Sequence, residues 1–441
     1  MKSYGYTSGL GPHPASIAPT VSSGVGSTVM SVRQVHRALS RSAARQSAPL
    51  PTTAARRLPR QPAQARTHAT ALEPEREPAR GLFEDEKAIL LATKGSASDA
   101  PLRKRWQRAE IQEIYDSPLM ELIFRSATVH RQHHDPSKIQ LCTLLNIKTG
   151  GCTEDCSYCS QSSKHKTGLK ATKLLDLEPV LIEARKAKAN GSTRFCMGAA
   201  WRDLHGRKSG FNRILDMVSE IRGMGMEVCT TLGMLDKDQA RRLKEAGLTA
   251  YNHNLDTSRE YYPEVITTRS YDERLATIEN VREAGISVCS GGIIGLGEKK
   301  EDRVGLIWEM SRLPEPPESF PVNALVPIEG TPLGGNEQVK IHDMLRTIAT
   351  ARLVLPTSII RLAAGRITYT EAEQAMCFMA GANAIFTGER MLTTPTSGWD
   401  EDGAMLERWG MRGLGSFESQ RMQPHAAQPI ASATPPVEAV V

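Results

Sequence analysis

The sequence predicts a (β/α)8 barrel, and three observations carry that expectation. Short apolar runs alternate with helical stretches from about Ile111 to Gly413. The alternation yields about eight strand–helix units in roughly 300 residues, the size of such a barrel. Glycine also closes helical runs at Gly191, Gly247 and Gly285, as a residue past a helix C-terminus does. A doubly wound open sheet is the alternative use of the same alternation.

The strand candidates are Gln140–Ile147, Thr193–Met197, Glu227–Thr231, Thr249–Asn254, Ile286–Ser290, Pro321–Leu325, Ser358–Leu362 and Ala384–Phe386. Each is short, apolar or alternating, and bounded by turn formers. Helices are expected between them at Pro179–Ala189, Ile214–Gly223, Lys237–Ala246, Tyr271–Ala284, Glu301–Arg312, Ile341–Leu353 and Glu371–Met379. In such a barrel, inward side chains near the strand C-termini build the active site.

Outside that body the composition changes. Residues 1–72 contain nine basic residues and no Asp or Glu, and they are rich in Ser and Ala. Arg33, Arg37, Arg41 and Arg45 recur every four residues beside Val32, Val35 and Leu39, which makes a short cationic amphipathic helix. This is the composition of a mitochondrial or plastid transit peptide, with a plain disordered arm as the alternative. Met30 is a candidate internal start. A linker is expected over 73–104, the barrel over 105–414, and a disordered Ala/Pro/Gln tail over 415–441. The chain's charge of +6 belongs to the leader: the remainder holds 46 bases against 49 acids. The body is therefore not a basic nucleic-acid binder. No apolar run is long enough to span a membrane. Eight cysteines without a secretory signal argue against a disulfide scaffold.

The chemistry is concentrated in Gly150-Gly151-Cys152-Thr153-Glu154-Asp155-Cys156-Ser157-Tyr158-Cys159-Ser160. Cysteines at offsets of four and three curl a loop until three sulfurs face a common point. Three thiolates leave one iron of a four-iron cluster open to a small molecule. Core cysteines, or a zinc site completed by histidine, are the other readings of these residues.

Three more cysteines fall on strands: Cys196 on the second, Cys229 on the third and Cys289 on the fifth, with Arg361 on the seventh. Singly each reads as a buried structural thiol; together at one level they read as a second metal site. On the fourth strand, alternation puts Asn252, Asn254 and Asp256 on one face and His253 on the other. Two inward amides and a carboxylate are too polar for a core, because each costs about 1–3 kcal/mol if unpaired. They suit ribose hydroxyls or a cyclic urea, while His253 reads as a packed structural histidine. The run Gly291-Gly292-Ile293-Ile294-Gly295-Leu296-Gly297-Glu298 would let backbone approach a ligand closely, with a plain turn as the alternative. His130, His133 and His134 read as solvent-facing, and Cys142 and Cys377 as structural.

The loop Cys152-x3-Cys156-x2-Cys159, with Tyr158 before its last cysteine, resembles the radical S-adenosylmethionine (SAM) superfamily. Further runs resemble the biotin synthase family within it: Arg194 through Trp201, Tyr251 through Ser258, Val288 through Gly292, Asn323 through Pro327, and Arg361 through Arg366. The likeness spans about residues 107–400.

That resemblance implies a [4Fe–4S] cluster on Cys152, Cys156 and Cys159 that binds SAM, with Tyr158 near the adenine. It implies a [2Fe–2S] cluster on Cys196, Cys229, Cys289 and Arg361, with Arg366 as the nearby alternative to Arg361. Asn254 and Asp256 would meet the SAM ribose, Asn252 and Asn323 the ureido ring of dethiobiotin. Arg274 and Arg194 would bind carboxylate or support those that do. Gly198-Ala199-Ala200 stands where many superfamily members carry Gly-Gly-Glu, so backbone groups there would receive the SAM amine. The implied activity is radical insertion of sulfur into dethiobiotin, with no catalytic side chain beyond the cluster ligands. Implied partners are a ferredoxin- or flavodoxin-type reductant, iron–sulfur assembly proteins and a second copy of the chain in a homodimer, within the mitochondrial matrix. Another radical SAM activity, or an iron–sulfur carrier, would use some of the same residues.

Overall fold

The computed structural model describes residues 105–418. The expected leader and linker and most of the expected tail lie outside the described residues. The strands are β1 (Lys138–Lys148), β2 (Arg194–Ala199), β3 (Glu227–Thr231), β4 (Ala250–Asn252), β5 (Ser287–Cys289), β6 (Gly292–Ile294), β7 (Ser319–Ala324), β8 (Ile359–Leu362), β9 (Ala384–Phe386), β10 (Arg390–Met391), β11 (Thr394–Pro395) and β12 (Arg412–Gly413). Neighbours pair in the order β1-β2-β3-β4-β5-β7-β8-β9, all in parallel. β9 then returns to β1, with Gln140 opposite Ala384 and Cys142 opposite Phe386. The sheet is closed, as the alternation of strands and helices predicts.

The fifth barrel position is split. β5 and β6 both pair with β7, and Ser290-Gly291 interrupts them. The reason is steric: a Cβ on Gly291 would lie 2.0 Å from the Pro321 carbonyl oxygen, and one on Gly292 would lie 2.6 Å from the Asp256 oxygen. These glycines were expected to admit a ligand; what they admit is neighbouring backbone, which lets the barrel close here.

Helix starts follow local chemistry. Asp236, Ser270 and Thr370 each cap the amide three residues on, in capping boxes that open Lys237–Glu245, Tyr271–Glu283 and Glu371–Met379. Gly191, Gly247 and Gly285 take left-handed φ values of 83°, 97° and 72° just past their helices. Two N-terminal helices escape the strand–helix pattern. Arg108–Asp116 packs on the helices Lys300–Arg312 and Ile341–Val354, and Leu119–His133 packs on the latter.

The large apolar core lies between sheet and helices: Phe195, Met197 and Val228 point outward into it. A separate small cluster fills the barrel itself, made of Cys142, Cys196, Cys229 and Ala250 with Leu144 and Phe386. Alternation along each strand thus sends the thiols inward and their bulky neighbours outward.

The histidines before β1 correct an expectation. His130 and His134 are buried, not solvent-facing; they end the helix Leu119–His133, where His134 Nε2 meets Arg352 Nη1 at 2.8 Å. Arg352, fully buried, caps carbonyls of Pro356, Ser358 and Gly381. The polar stretch is a helix end folded against another, so its imidazoles are packed. Cys377 is a buried helical residue, as expected.

Below the barrel, β12 pairs with the start of β1, and residues 415–418 continue across its floor. Ser416 Oγ donates to the Thr193 carbonyl and the Phe417 amide donates to Glu227 Oε1 at 3.2 Å. Among the described residues no helix is long and apolar enough to cross a membrane.

Gly291→Ala should destabilise the fold by about 1–3 kcal/mol, since the β5–β6 break cannot widen without parting β7. Gly403→Ala, on the exposed face of helix Trp399–Arg408 with nothing near its Cβ, should instead add about 0.5–1 kcal/mol. Urea midpoints of the two variants check this opposition of signs.

Candidate active site

The cysteine loop leaves the C-terminal end of β1. Gly150 and Gly151 both take left-handed conformations (φ 66° and 67°), which turn the chain over the barrel mouth. The Cys152 amide donates to the Gln161 carbonyl and the Ser163 amide to the Cys152 carbonyl, so the loop closes on itself. Asp155 pins it from outside: one oxygen accepts the amides of Thr267 and Thr268 at 3.0 and 3.2 Å, and both threonine hydroxyls also donate to the carboxylate. Burial raises the Asp155 pKa, but these donors outweigh it and hold the carboxylate down to about 2. Glu154 is buried between Arg202 and Arg269, at 3.6 and 3.9 Å.

Burial pushes the Cys156 thiol up to about 12 and the Cys159 thiol up to about 11, and it raises Cys152 as well. Thiols raised in this way are protonated at neutral pH, so binding a metal as thiolates would release their protons. No three Cys, His, Asp or Glu side chains among the described residues are gathered tightly enough for a lone metal ion. The thiols are instead spread around one cavity of ≈ 320 Å³, which Cys152, Cys156 and Cys159 share with Cys196, Cys229 and Cys289. Two sets of three soft donors round a common space suit polynuclear clusters better than single ions.

Tyr158 projects from the loop into this cavity. Its hydroxyl donates to Asp256 Oδ2 at 2.8 Å, and Arg274 Nη2 lies 2.7 Å from the same oxygen. Asp256 is buried and stands at φ +69°, a costly conformation for a residue with a Cβ. Its backbone ties the turn after β4 to β6, through the Gly291 carbonyl and the Ile293 amide. Arg274 also donates to the Tyr262 hydroxyl at 2.8 Å and to the Asn254 carbonyl. Thus Tyr158, Asp256 and Arg274 form one network.

The amides are brought to the cavity too. Asn252 Nδ2 donates to Asn254 Oδ1 at 3.1 Å and reaches Cys289 Sγ at 3.4 Å, while its Oδ1 accepts from Thr231. Asn323 spans β6 and the turn after β8, donating to the Gly292 carbonyl and accepting from the Ala364 amide. His253 is buried with its ring beside Tyr251. Ala199 and Ala200 line the cavity with Trp201.

Deeper in, Arg361 lies among the thiols, whereas Arg366 does not. Arg366 is ion-paired with Asp402 and bonded to Gln374 at 2.9 Å. Arg361 Nη1 donates to Cys142 Sγ and its Nη2 to Gln140 Oε1, both at 2.8 Å. Gln140 passes on to Glu227 Oε2 at 3.2 Å, which Arg194 grips with Nε and Nη2 at 2.8 and 2.6 Å. Beneath the cysteines, then, one carboxylate holds Arg194 directly and is linked to Arg361 only through Gln140. The unbalanced positive charge favours thiolates and an anionic guest. Within the cysteine cluster burial again pushes upward. Nonetheless Cys142 is lowered to about 6 by its contact with Cys196 and the charges of Arg361 and Arg194, and Cys196 is raised in exchange.

The deciding comparison is with a mitochondrial biotin synthase of Emericella nidulans, 65% identical over 324 residues that cover 74% of this chain and 82% of that protein. The chain belongs to the biotin synthase family. A biotin synthase of Schizosaccharomyces pombe is 63% identical over 72% of this chain and 88% of its own. One from an Escherichia coli strain is 55% identical over 70% and 89%. The radical SAM superfamily model matches residues 146–307, and the biotin and thiamin synthesis associated domain matches 321–412. Membership of the radical SAM superfamily implies a [4Fe–4S] cluster and SAM. Among solved structures, methylornithine synthase (TM-score 0.61, 18% identity, 73% of this chain and 97% of that one) shares the fold. The FeFe-hydrogenase maturase HydG of Carboxydothermus hydrogenoformans does so too (0.62, 18%, 75% and 79%).

Two features of this biotin synthase family member were missed from sequence. Cys142 reads as structural, yet parity on β1 turns it into the barrel beside Arg361. The hairpin β10–β11 carries no chemical motif, yet Met391, Leu392, Thr393 and Thr394 line the cavity, and Thr393 bonds Ser160 of the cysteine loop at 2.9 Å. Only the left-handed φ of 55° at Leu392 marks that turn as constrained, and sequence does not display it.

Asp155→Ala should lower stability by about 1 kcal/mol and speed amide exchange across 152–159, read by hydrogen–deuterium exchange. Because its folded pKa lies below the usual 3.8, the Asp155 contribution is complete above about pH 4. It fades as the pH falls towards 2, and the Ala variant should lack that acid limb.

Proposed function

We propose that this chain inserts sulfur into dethiobiotin to give biotin, with SAM as radical source and a [2Fe–2S] cluster as sulfur source. The observation that carries the reading is the pair of three-cysteine sets facing one cavity, one set on a loop over the mouth and one on the strands within. The [4Fe–4S] cluster with SAM supplies a carbon-centred radical and the [2Fe–2S] cluster supplies sulfide, neither of which any side chain offers.

The protein's part is to hold, orient and keep dry. Cys152, Cys156 and Cys159 would hold the first cluster, and Cys196, Cys229 and Cys289 with Arg361 the second. Tyr158, Asn254, Asp256 and Arg274 border the SAM side, where the Tyr158–Asp256 bond must open for a ribose hydroxyl to reach the carboxylate. Asn252 and Asn323 offer amides to a ureido ring on the other side. Asn252 is the more adaptable of the two, because Asn323 is spent on backbone. Leu144, Ile293, Leu325, Val326 and Phe386 give the cavity apolar walls that shed water, which a radical path requires.

Three relatives are mitochondrial by name, and with the acid-free leader over 1–72 they support delivery to the mitochondrial matrix. On this reading the linker is 73–104, the catalytic barrel 105–414 and the tail 415–441. The same reading calls for a ferredoxin- or flavodoxin-type reductant, iron–sulfur assembly proteins and a homodimer.

Anaerobic reconstitution with SAM, dethiobiotin and a reductant tests the proposal. The unmodified chain should form 5′-deoxyadenosine and biotin, and Mössbauer spectra should show both cluster types. Replacing Cys196, Cys229 and Cys289 together should abolish biotin while SAM cleavage stays measurable. Biotin formed by that triple variant would overturn the second-cluster assignment, and absence of 5′-deoxyadenosine from the unmodified chain would overturn the whole reading.

A further inference from the structure

The interior donor set holds one thiol more than the function above uses. Gln140, Cys142 and Leu144 share the inward parity of β1, and Cys142 is fully buried. It contacts the Cys196 side chain and shares one small buried cluster with Cys196, Cys229 and Ala250. On its other side the Arg361 guanidinium donates to its sulfur at 2.8 Å. Cys142 therefore sits between two thiols assigned to the inner cluster and the arginine assigned beside them.

The chemistry of the two side chains differs sharply. A protonated guanidinium has five donors and no lone pair to give. Arg361 is buried with no carboxylate in contact: its partners are the Cys142 sulfur, the Gln140 amide oxygen and the Ile385 carbonyl. An iron–sulfur cluster ordinarily takes its ligands as thiolates, and a thiol bound to such a metal loses its proton outright. Cys142 is thus the better iron ligand of the two, already within reach of the same group.

We propose that Cys142 is a reserve thiolate ligand of the inner cluster, one that takes the fourth position when the Arg361 side chain is not in it. Arg361 then serves as the hydrogen-bonded counter-charge to that sulfur. This rests on the inner cluster assigned above, and it adds a ligand that the sequence motifs did not nominate.

The test compares Arg361→Met with the double variant Arg361→Met/Cys142→Ser, each reconstituted anaerobically with iron and sulfide. The readouts are Mössbauer and resonance Raman spectra and the rate of inner-iron loss to a chelator. Arg361→Met should keep its two-iron centre with the Fe–S stretching pattern of four thiolates. The double variant should lose that pattern and release inner iron about ten-fold faster. Cys377→Ser, a buried thiol outside the barrel, should match the unmodified chain and so controls for loss of a core thiol. Coincident spectra and rates for the single and double variants would overturn the proposal. If the unmodified chain shows only a four-iron centre, the inner-cluster assignment itself fails, a separate and recognisable result.

Discussion

A strand in a closed parallel barrel can present only every second side chain to the interior, and this constraint governs the rest of the molecule. On β2 and β3 it sends Cys196 and Cys229 inward while Phe195, Met197 and Val228 anchor the helices outside. On β1 it aligns Gln140, Cys142 and Leu144. On β4 it turns Asn252 to the cavity and Tyr251 to the outer core, where the Tyr251 hydroxyl donates to the Gly233 carbonyl. A register slip of one residue would exchange the Cys196 thiol for phenyl or thioether on β2, and on β1, β3 or β4 would likewise turn the inward side chain out. The split between β5 and β6 is the local cost of closure, and two glycines absorb it.

Because periodicity is written into the residues themselves, much of this was legible before any coordinates. The strands were placed within a few residues, and the cysteine loop was recognisable from spacing alone. Physical reasoning from sequence stopped where partners come from afar. Cys142 reads as structural, and its neighbours Arg361 and Cys196 come from other strands. The His130 and His134 imidazoles stand in a polar run, and only the packing of helix Leu119–His133 on Ile341–Val354 buries them. For the glycines after β5 a close approach is legible, but not that the approaching groups are backbone of Pro321 and Asp256. The β10–β11 hairpin has no motif at all, and its place at the cavity mouth follows from chain connectivity after β9.

Function here is divided between metal chemistry and a protein that arranges it. The loop over the mouth is pinned by Asp155 to Thr267 and Thr268, so the outer thiols are fixed relative to the segment that leads into the helix carrying Arg274. Tyr158, Asp256 and Arg274 then couple the loop to β6 through a strained residue.

The floor of the barrel carries a broader consequence. Arg194, Gln140, Glu227 and Arg361 form a chain of hydrogen bonds in which two cations face a single carboxylate, and the Phe417 amide grips that carboxylate from below. Cys142, which accepts from Arg361, is the further group on this floor that can answer the second cation. The same four residues tie β2, β1, β3 and β8 to one another. The bottom of the cavity and the closure of the sheet are thus held by one set of bonds, and to lose either is to lose both.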